Sequence, residues 1–151
     1  MTDPAVLLKA ASDFRWAVEE TAPFSGQFAA LRGFPGGCCK QASFLLARLL
    51  AQECAVEGIE YVWGTAMDGV RGTHGWLECH GYVLDVTADQ FPGVENPVIV
   101  ATREYSAFHD GFGRGPRDSY PRFWQGMKSQ VRADFDETFR SLLLRIRKKQ
   151  F

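Results

Sequence analysis

The stretch around which the chain is organised reads Gly36-Gly37-Cys38-Cys39-Lys40-Gln41-Ala42-Ser43. Its glycines predict a turn, and the apolar residues that follow predict a buried helix that begins near Cys38 or Cys39 and ends at about Cys54. The first N–H groups of a helix lack partners within the helix, and the helix dipole is positive at that end. Both effects favour the thiolate, which is the nucleophilic form of cysteine. The stretch therefore predicts a reactive cysteine at a helix start.

Helical periodicity predicts two further helices, one towards each end of the chain. The first has Thr2 or Asp3 as its cap and Pro4 in its first turn, and it ends near Thr21. The last spans roughly residues 132–148 and carries an apolar stripe along one face. The stripe consists of Phe135, Phe139, Leu142, Leu143 and Ile146.

The middle of the chain has the composition of β-strands separated by turns. Residues 60–64 predict one strand, residues 97–101 predict another, and a hairpin lies between them. The hairpin consists of Thr73 to Cys79, a two-residue turn at His80-Gly81, and Tyr82 to Thr87. Residues 106–122 contain several glycines and prolines and are expected to be irregular. The pattern predicts an α+β fold in which the cysteine helix packs on a small antiparallel sheet.

Counting from the turn predicts which side chains of the hairpin share a face. With His80-Gly81 as the turn, Leu77 lies opposite Leu84 and Trp76 lies opposite Asp85. Since side chains alternate between the two faces of a sheet, His74 and Asp85 lie on the same face as diagonal neighbours. Their Cα atoms would be about 7–8 Å apart, which is within reach of the two side chains. The register that gives the best turn therefore also predicts a His–Asp pair.

These residue types in this order suit nucleophilic catalysis by a thiol. His74 can hold Cys39 as an ion pair and later give a proton to a leaving group. Asp85 can accept the other imidazole N–H and stabilise the imidazolium. The backbone N–H of Cys39 is a candidate donor to an oxyanion. The candidate side-chain donors are Gln27, Gln41 and Gln90.

Several other polar residues have alternative roles. Asp89 competes with Asp85 as the partner of the histidine, Cys54 and Cys79 are expected in the core, and His109 is expected at the surface. The residues available to a zinc site are Cys38, Cys39, His74, Cys79 and His80. They lack the Cys-x-x-Cys spacing typical of zinc sites, and no metal site is predicted.

Composition restricts the class of protein. The chain has 151 residues, of which 46% are hydrophobic and 23% charged, and this composition predicts one globular domain over residues 1–151. The net charge of −1 gives no general attraction to nucleic acid or to an anionic membrane. No apolar run is long enough for a membrane span, and the first residues lack the pattern of a signal peptide. Because the cysteine spacing is not that of a secreted disulfide-rich domain, a cytoplasmic location is expected.

At the cysteine, histidine and aspartate the sequence resembles the transglutaminase-like branch of the papain-like cysteine enzymes. In that family a Gly-x-Cys motif opens a buried helix with a small residue four positions later, matched here by Gly37-Cys38-Cys39 and Ser43. A histidine at the start of one strand and an aspartate on the next complete the family's triad, matched by His74 and Asp85. This alignment selects Cys39, not Cys38, as the nucleophile.

A longer pattern is similar to a group of small bacterial and phage proteins, to the leader-peptide proteases of lasso-peptide maturation and, more distantly, to arylamine N-acetyltransferases. The pattern consists of Phe34-Pro35-x-Gly37-Cys38-Cys39, His74-x-Trp76-Leu77-Glu78 and Asp85-x-Thr87-Ala88-Asp89-Gln90-Phe91. The match covers roughly residues 33–91, so the first helix and the last sixty residues carry no motif.

The resemblance implies a papain-like or transglutaminase-like core and thiol-dependent acyl chemistry on an amide or peptide bond. Cys39, His74 and Asp85 would be the catalytic residues of a cysteine peptidase, amidase or deamidase that works through a thioester. The same triad serves acyltransferases and transglutaminases. The implied partner is a peptide or protein substrate, and the implied chemistry uses no cofactor. The alternative from another class is a non-catalytic module that keeps the fold and binds a peptide in its cleft.

Overall fold

The computed structural model describes residues 2–21, 31–113 and 115–149. The helices are α1 (Pro4–Glu20), α2 (Cys39–Glu53), α3 (Ala107–Asp110), α4 (Tyr120–Gln125) and α5 (Ser129–Lys149). The strands are β1 (Glu60–Thr65), β2 (Thr73–Cys79), β3 (Tyr82–Asp85), β4 (Ile99–Thr102) and β5 (Arg117–Ser119). The expected α+β class is confirmed.

The five strands form one antiparallel sheet in the order β4-β3-β2-β1-β5. The larger apolar core lies between one face of this sheet and the helices α1, α2 and α5. A smaller cluster covers the other face and consists of Val62, Ala66, Trp76, Val83 and Phe112. Within the described ranges, no helix combines the length and the apolar character that a membrane crossing requires.

The predicted helices lie where the sequence signals place them. The side chain of Asp3 accepts a hydrogen bond from the N–H of Ala5 at 2.9 Å and caps α1. Helix α2 begins at Cys39, directly after the turn at Gly37, whose φ of 69° suits glycine. Helix α5 begins three residues earlier than expected, and its expected apolar stripe is buried.

The predicted hairpin register is confirmed. Cys79 pairs with Tyr82 and Leu77 pairs with Leu84, and the turn residues have positive φ values of 52° and 79°. Strand β3 ends at Asp85 instead of Thr87. The physical reason is that the carboxylate of Asp85 accepts the backbone N–H of Thr87 at 2.9 Å, which turns the chain out of the sheet and into a short 3₁₀ turn.

The expectation of an irregular segment over residues 106–122 was wrong. The segment contains α3, β5 and the start of α4, and Gly113 donates its N–H to the carbonyl of Thr65 at 2.9 Å. Glycines in β1 and in this segment permit the two backbones to pack closely. A Cβ atom on Gly64 would lie 1.9 Å from the carbonyl oxygen of Gly113, so neither backbone could approach the other with a side chain between them.

Arg15 of α1 fastens the chain that follows Asp85. Its guanidinium donates two hydrogen bonds to the carboxylate of Asp89, at 2.7 and 2.8 Å, and others to the carbonyls of Val86 and Pro97. The residue is 9% exposed. The carboxylate of Asp89 is therefore the partner of Arg15. The alternative in which Asp89 is the partner of His74 is not supported.

We expect Arg15→Met to lower the free energy of unfolding by about 2–4 kcal/mol, because Asp89 and two carbonyls lose their partner in a largely buried place. Glu19→Gln is the matched control, since Glu19 is the more exposed partner of the same guanidinium. The control should change stability by less than about 0.5 kcal/mol. Urea denaturation would measure both, and equal small effects would contradict a structural role for the Arg15–Asp89 pair.

Candidate active site

Cys39 is the first residue of α2, and its side chain is partly exposed. Cys38, the preceding residue, is completely buried, and this burial raises the pKa of its thiol to about 12. The two adjacent cysteines therefore differ in the property that decides nucleophilicity. Cys39 is the more accessible of the two adjacent thiols.

The other two cysteines are also poor candidates for a nucleophile. Cys79 lies in the core as expected, and burial raises the pKa of its thiol to about 11. Cys54 is partly buried and packs against the larger core, and burial again raises the pKa of its thiol. Of the four cysteines, Cys39 alone has a lowered pKa.

Three groups around Cys39 stabilise its thiolate. Burial by itself raises the pKa of the thiol, but the imidazole of His74, the backbone N–H of Gly75 and the hydroxyl of Tyr61 together lower it by more. The net result is a pKa below the ordinary cysteine value. The position at the start of α2 acts in the same direction, since helix N-termini favour negative charge.

His74 and Asp85 form the expected pair. Nε2 of His74 lies 2.6 Å from Oδ2 of Asp85, and both side chains are almost completely buried. The pKa of Asp85 is raised by burial but lowered by more through hydrogen bonds from two histidines, so the carboxylate is ionised and can only accept. The Nε2–H of His74 therefore donates to Asp85, and Nδ1 is the ring nitrogen left to face a reacting group.

The contact between His74 and Cys39 is less complete than the contact between His74 and Asp85. The two groups are close enough for the imidazole to lower the pKa of the thiol. Nδ1 of His74 is nevertheless buried without an aligned hydrogen-bond partner in the described part of the chain. Loose geometry of this kind is common in catalytic sites without a bound substrate, but it leaves the chain of hydrogen bonds from thiol to carboxylate unclosed.

The charge state of His74 follows from its neighbours. Burial lowers the pKa of the imidazole, but the hydrogen bond and negative charge of Asp85, together with Cys39, raise it to about 9. The shifts of His74 and Cys39 both favour the thiolate–imidazolium pair over the neutral pair.

A second histidine, His109, binds the same carboxylate oxygen. Its Nε2 lies 2.7 Å from Oδ2 of Asp85, and its Nδ1 is hydrogen-bonded to the hydroxyl of Ser106. His109 is completely buried on α3, so the expectation that it lies at the surface was wrong. The other carboxylate oxygen of Asp85 accepts the N–H of Thr87 at 2.9 Å and its hydroxyl at 3.4 Å.

Sequence reasoning missed His109 and Tyr61 for different reasons. His109 is 24 residues from Asp85 within a segment whose glycines and prolines predict irregular structure, and no local pattern links the two residues. The Ser-x-x-His spacing is a weak signal that Ser106 and His109 can meet within one helical turn. The sequence around Tyr61 predicts only a strand, because the approach of Tyr61 to Cys39 depends on how α2 packs on the sheet.

The three glutamines that are candidate oxyanion donors lie in different environments. The side-chain amide of Gln90 donates to the carbonyl of Thr87 at 3.0 Å, so it is engaged elsewhere. Gln41 lies partly buried in the first turn of α2. Gln27 lies outside the described residues.

Aromatic side chains enclose the imidazole of His74. The ring centroids of Phe91, Phe108 and Phe112 lie 5.1, 5.9 and 5.5 Å from that of His74. Trp76, which shares the face of the pair as expected, is buried beside them and donates its indole N–H to Glu78 at 2.9 Å. Because the side chains of His74 and Asp85 are buried behind this shell, the hydrogen bonds of Asp85 act in a medium of low dielectric constant.

His74, Asp85 and His109 are also the residue types that hold metal ions, and their ligand atoms lie within 4.8 Å of one another. Both Nε2 atoms, however, lie 2.6 and 2.7 Å from one oxygen of Asp85. Two ligands of a tetrahedral zinc ion at 2.0–2.1 Å are separated by about 3.3 Å. The observed distances therefore fit protons between the groups better than a shared metal ion.

Comparisons of the chain with protein-family models, with curated proteins and with solved structures find no match.

We expect His109→Leu to lower the free energy of unfolding by about 2–3 kcal/mol, because it removes a donor from the buried carboxylate of Asp85. Ser106→Ala should cost about 1 kcal/mol by leaving Nδ1 of His109 without its partner. His80→Asn is the control, since His80 is exposed and asparagine tolerates its positive φ. Denaturant unfolding curves in which all three variants match the wild type would contradict the buried network.

The raised pKa of His74 predicts a pH-dependent stability. Since the folded state holds the imidazole proton more tightly than the unfolded state, this contribution is complete below about pH 6.5 and is lost as the pH rises towards 9. We expect a loss of about 2–3 kcal/mol over that range.

The measurement uses Cys39→Ser chains with and without His74→Gln, so that titration of the Cys39 thiol does not contribute. Because this change also removes the part of the pKa shift that Cys39 causes, the loss in these chains reports the part due to Asp85 and is smaller than in the wild type. Unfolding free energies between pH 6 and pH 9.5 should converge for the two chains as the pH rises. A constant difference between them would show that Asp85 does not raise the pKa of His74.

Proposed function

We propose that the protein performs thiol-dependent acyl chemistry on an amide or peptide bond, with Cys39 as nucleophile, His74 as acid and base, and Asp85 as the group that orients His74. The observation that carries the proposal is the contrast among the four cysteines. Cys39 alone combines a helix start, partial exposure and a lowered pKa, and it does so beside a histidine that is held by a buried carboxylate.

The proposed reaction begins with attack by the Cys39 thiolate on the carbonyl carbon, which forms a carbon–sulfur bond and an oxyanion. The imidazolium of His74 then gives its Nδ1 proton to the leaving amine, and the carbon–nitrogen bond breaks to leave a thioester. His74, now neutral, takes a proton from water, whose hydroxide equivalent attacks the thioester. The acid product leaves and the thiolate is restored. An amine in place of water would make the same site a transferase.

We also propose that the fold is a papain-like or transglutaminase-like core. Its support is the placement of a nucleophile helix against an antiparallel sheet, with the cysteine at the helix start and the His–Asp pair on two adjacent strands. The proposed substrate is a peptide or protein, the class that the resemblance at Cys39, His74 and Asp85 implies.

The test is the pH dependence of iodoacetamide alkylation at Cys39, followed by peptide mass spectrometry. In the wild type we expect rapid labelling of Cys39 at pH 6, because the imidazolium stabilises the thiolate. His74→Ala should shift the midpoint of labelling upwards by more than one pH unit, towards that of a free thiol near pH 8.5. Asp85→Asn should produce a smaller shift in the same direction, since it removes the charge that supports the imidazolium.

Cys38→Ser is the matched control because it removes the adjacent thiol while leaving Cys39 in place. Its labelling profile at Cys39 should match that of the wild type. Labelling carried by Cys38, or a Cys39 profile that His74→Ala leaves unchanged, would overturn the assignment of nucleophile and base.

A non-catalytic peptide-binding module is the second candidate, and one observation favours it. The side chain of His74 is completely buried, and its Nδ1 lacks an aligned partner in the described ranges. A wild-type Cys39 that labels no faster than a free thiol would favour this module over the enzyme.

A further inference from the structure

Tyr61 is held rigidly on the face of the sheet that α2 covers. Its ring packs edge-on against Phe44 of α2 and stacks on Trp63, with centroid separations of 5.2 Å in both cases. The side chain is only 6% exposed. Because both neighbouring rings hold the ring of Tyr61 in place, the direction of its hydroxyl group is fixed as well.

The hydroxyl group of Tyr61 lies directly over the backbone of Gly75. A Cβ atom on Gly75 would lie 2.1 Å from the Tyr61 oxygen, so any larger residue at this position would displace the hydroxyl. The N–H of Gly75 and the hydroxyl of Tyr61 both lie close enough to Cys39 to lower the pKa of its thiol. Two donors from adjacent strands therefore converge on the atom that would attack a substrate.

The surroundings of Tyr61 keep its hydroxyl protonated. Burial raises the pKa of the phenol, and the negative charges of Cys39 and Asp85 raise it further. Together with His74, these are the titratable groups that face this part of the site from α2, β2 and β3. Tyr61 is therefore a donor throughout the working pH range, and it does not compete with His74 as a base.

We propose that Tyr61 is a catalytic hydrogen-bond donor, which holds the Cys39 thiolate before reaction and then donates to the oxyanion that forms on the attacked carbonyl. This inference rests on the proposed function and supplies the side-chain donor that the sequence motif left open. The oxyanion forms on the carbon bonded to sulfur, about 3 Å from that sulfur, so a hydroxyl group beside Cys39 can reach it. The engagement of Gln90 with Thr87 removes one competitor for this role.

The test compares two reactions of Cys39, of which only one forms an oxyanion. Iodoacetamide reacts at a saturated carbon, so the sulfur displaces iodide and no oxyanion forms. p-Nitrophenyl acetate reacts at a carbonyl, so the sulfur bonds to the acetyl carbon through an oxyanion and expels p-nitrophenolate, which needs no proton. Both rate constants are measured on the full chain at a pH above the thiol midpoint, with Cys39→Ser as the background.

In Tyr61→Phe we expect the acetylation rate constant to fall about 10- to 100-fold, while the alkylation rate constant stays within about twofold of the wild type. The midpoint of the alkylation profile should rise, because the thiolate has lost a donor. Tyr82→Phe is the matched control, since it removes a hydroxyl from a partly buried strand residue outside the site. Gly75→Ala should reproduce the loss of acetylation by displacing the Tyr61 hydroxyl.

The outcomes separate this inference from the proposed function. If Tyr61→Phe changes the acetylation and alkylation rate constants equally, or changes neither, the oxyanion role of Tyr61 is overturned. The proposed function would still stand in that case, provided that alkylation of Cys39 depends on His74. A wild-type Cys39 without enhanced reactivity towards either reagent would overturn both.

Discussion

The buried carboxylate of Asp85 is the group on which the rest of the site depends. It accepts hydrogen bonds from two imidazoles on one oxygen and from the backbone and hydroxyl of Thr87 on the other. A buried charge is tolerated only when donors of this kind surround it, and the loss of any of them is costly. The same bonds end strand β3, anchor α3 and fix the orientation of His74, so one carboxylate links the fold to the candidate chemistry.

The nucleophile side of the site is built from backbone geometry. A turn with positive φ at Gly37 brings the chain into α2 with Cys39 at its first position, and Cys38 points into the core. Two adjacent residues of the same type thus receive opposite environments. Burial raises the pKa of the Cys38 thiol and leaves it unreactive. For Cys39, the helix start, the imidazole of His74 and the donors on Gly75 and Tyr61 favour the thiolate.

Some features of the site favour an enzyme, and others favour a rigid binding module. The shifts of Cys39 and His74 favour an ion pair, as an activated thiol requires. The aromatic shell and the complete burial of His74 favour a rigid and dry interior. Both aspects are compatible in an enzyme whose leaving group meets Nδ1 only after the substrate has bound at Cys39. In a binding module, the same network would serve stability alone.

The sequence by itself determined the elements whose signals are local. Periodicity and caps located α1, α2 and α5, and the His80-Gly81 turn set the register that brings His74 to Asp85, because turn geometry and alternation act over a few residues. Only the tertiary structure decided the neighbours that arrive from distant segments. His109 reaches Asp85 through the packing of residues 106–113 on the sheet, and Tyr61 reaches Cys39 through the packing of α2. Such contacts depend on how apolar faces fit together in three dimensions, which no local pattern encodes.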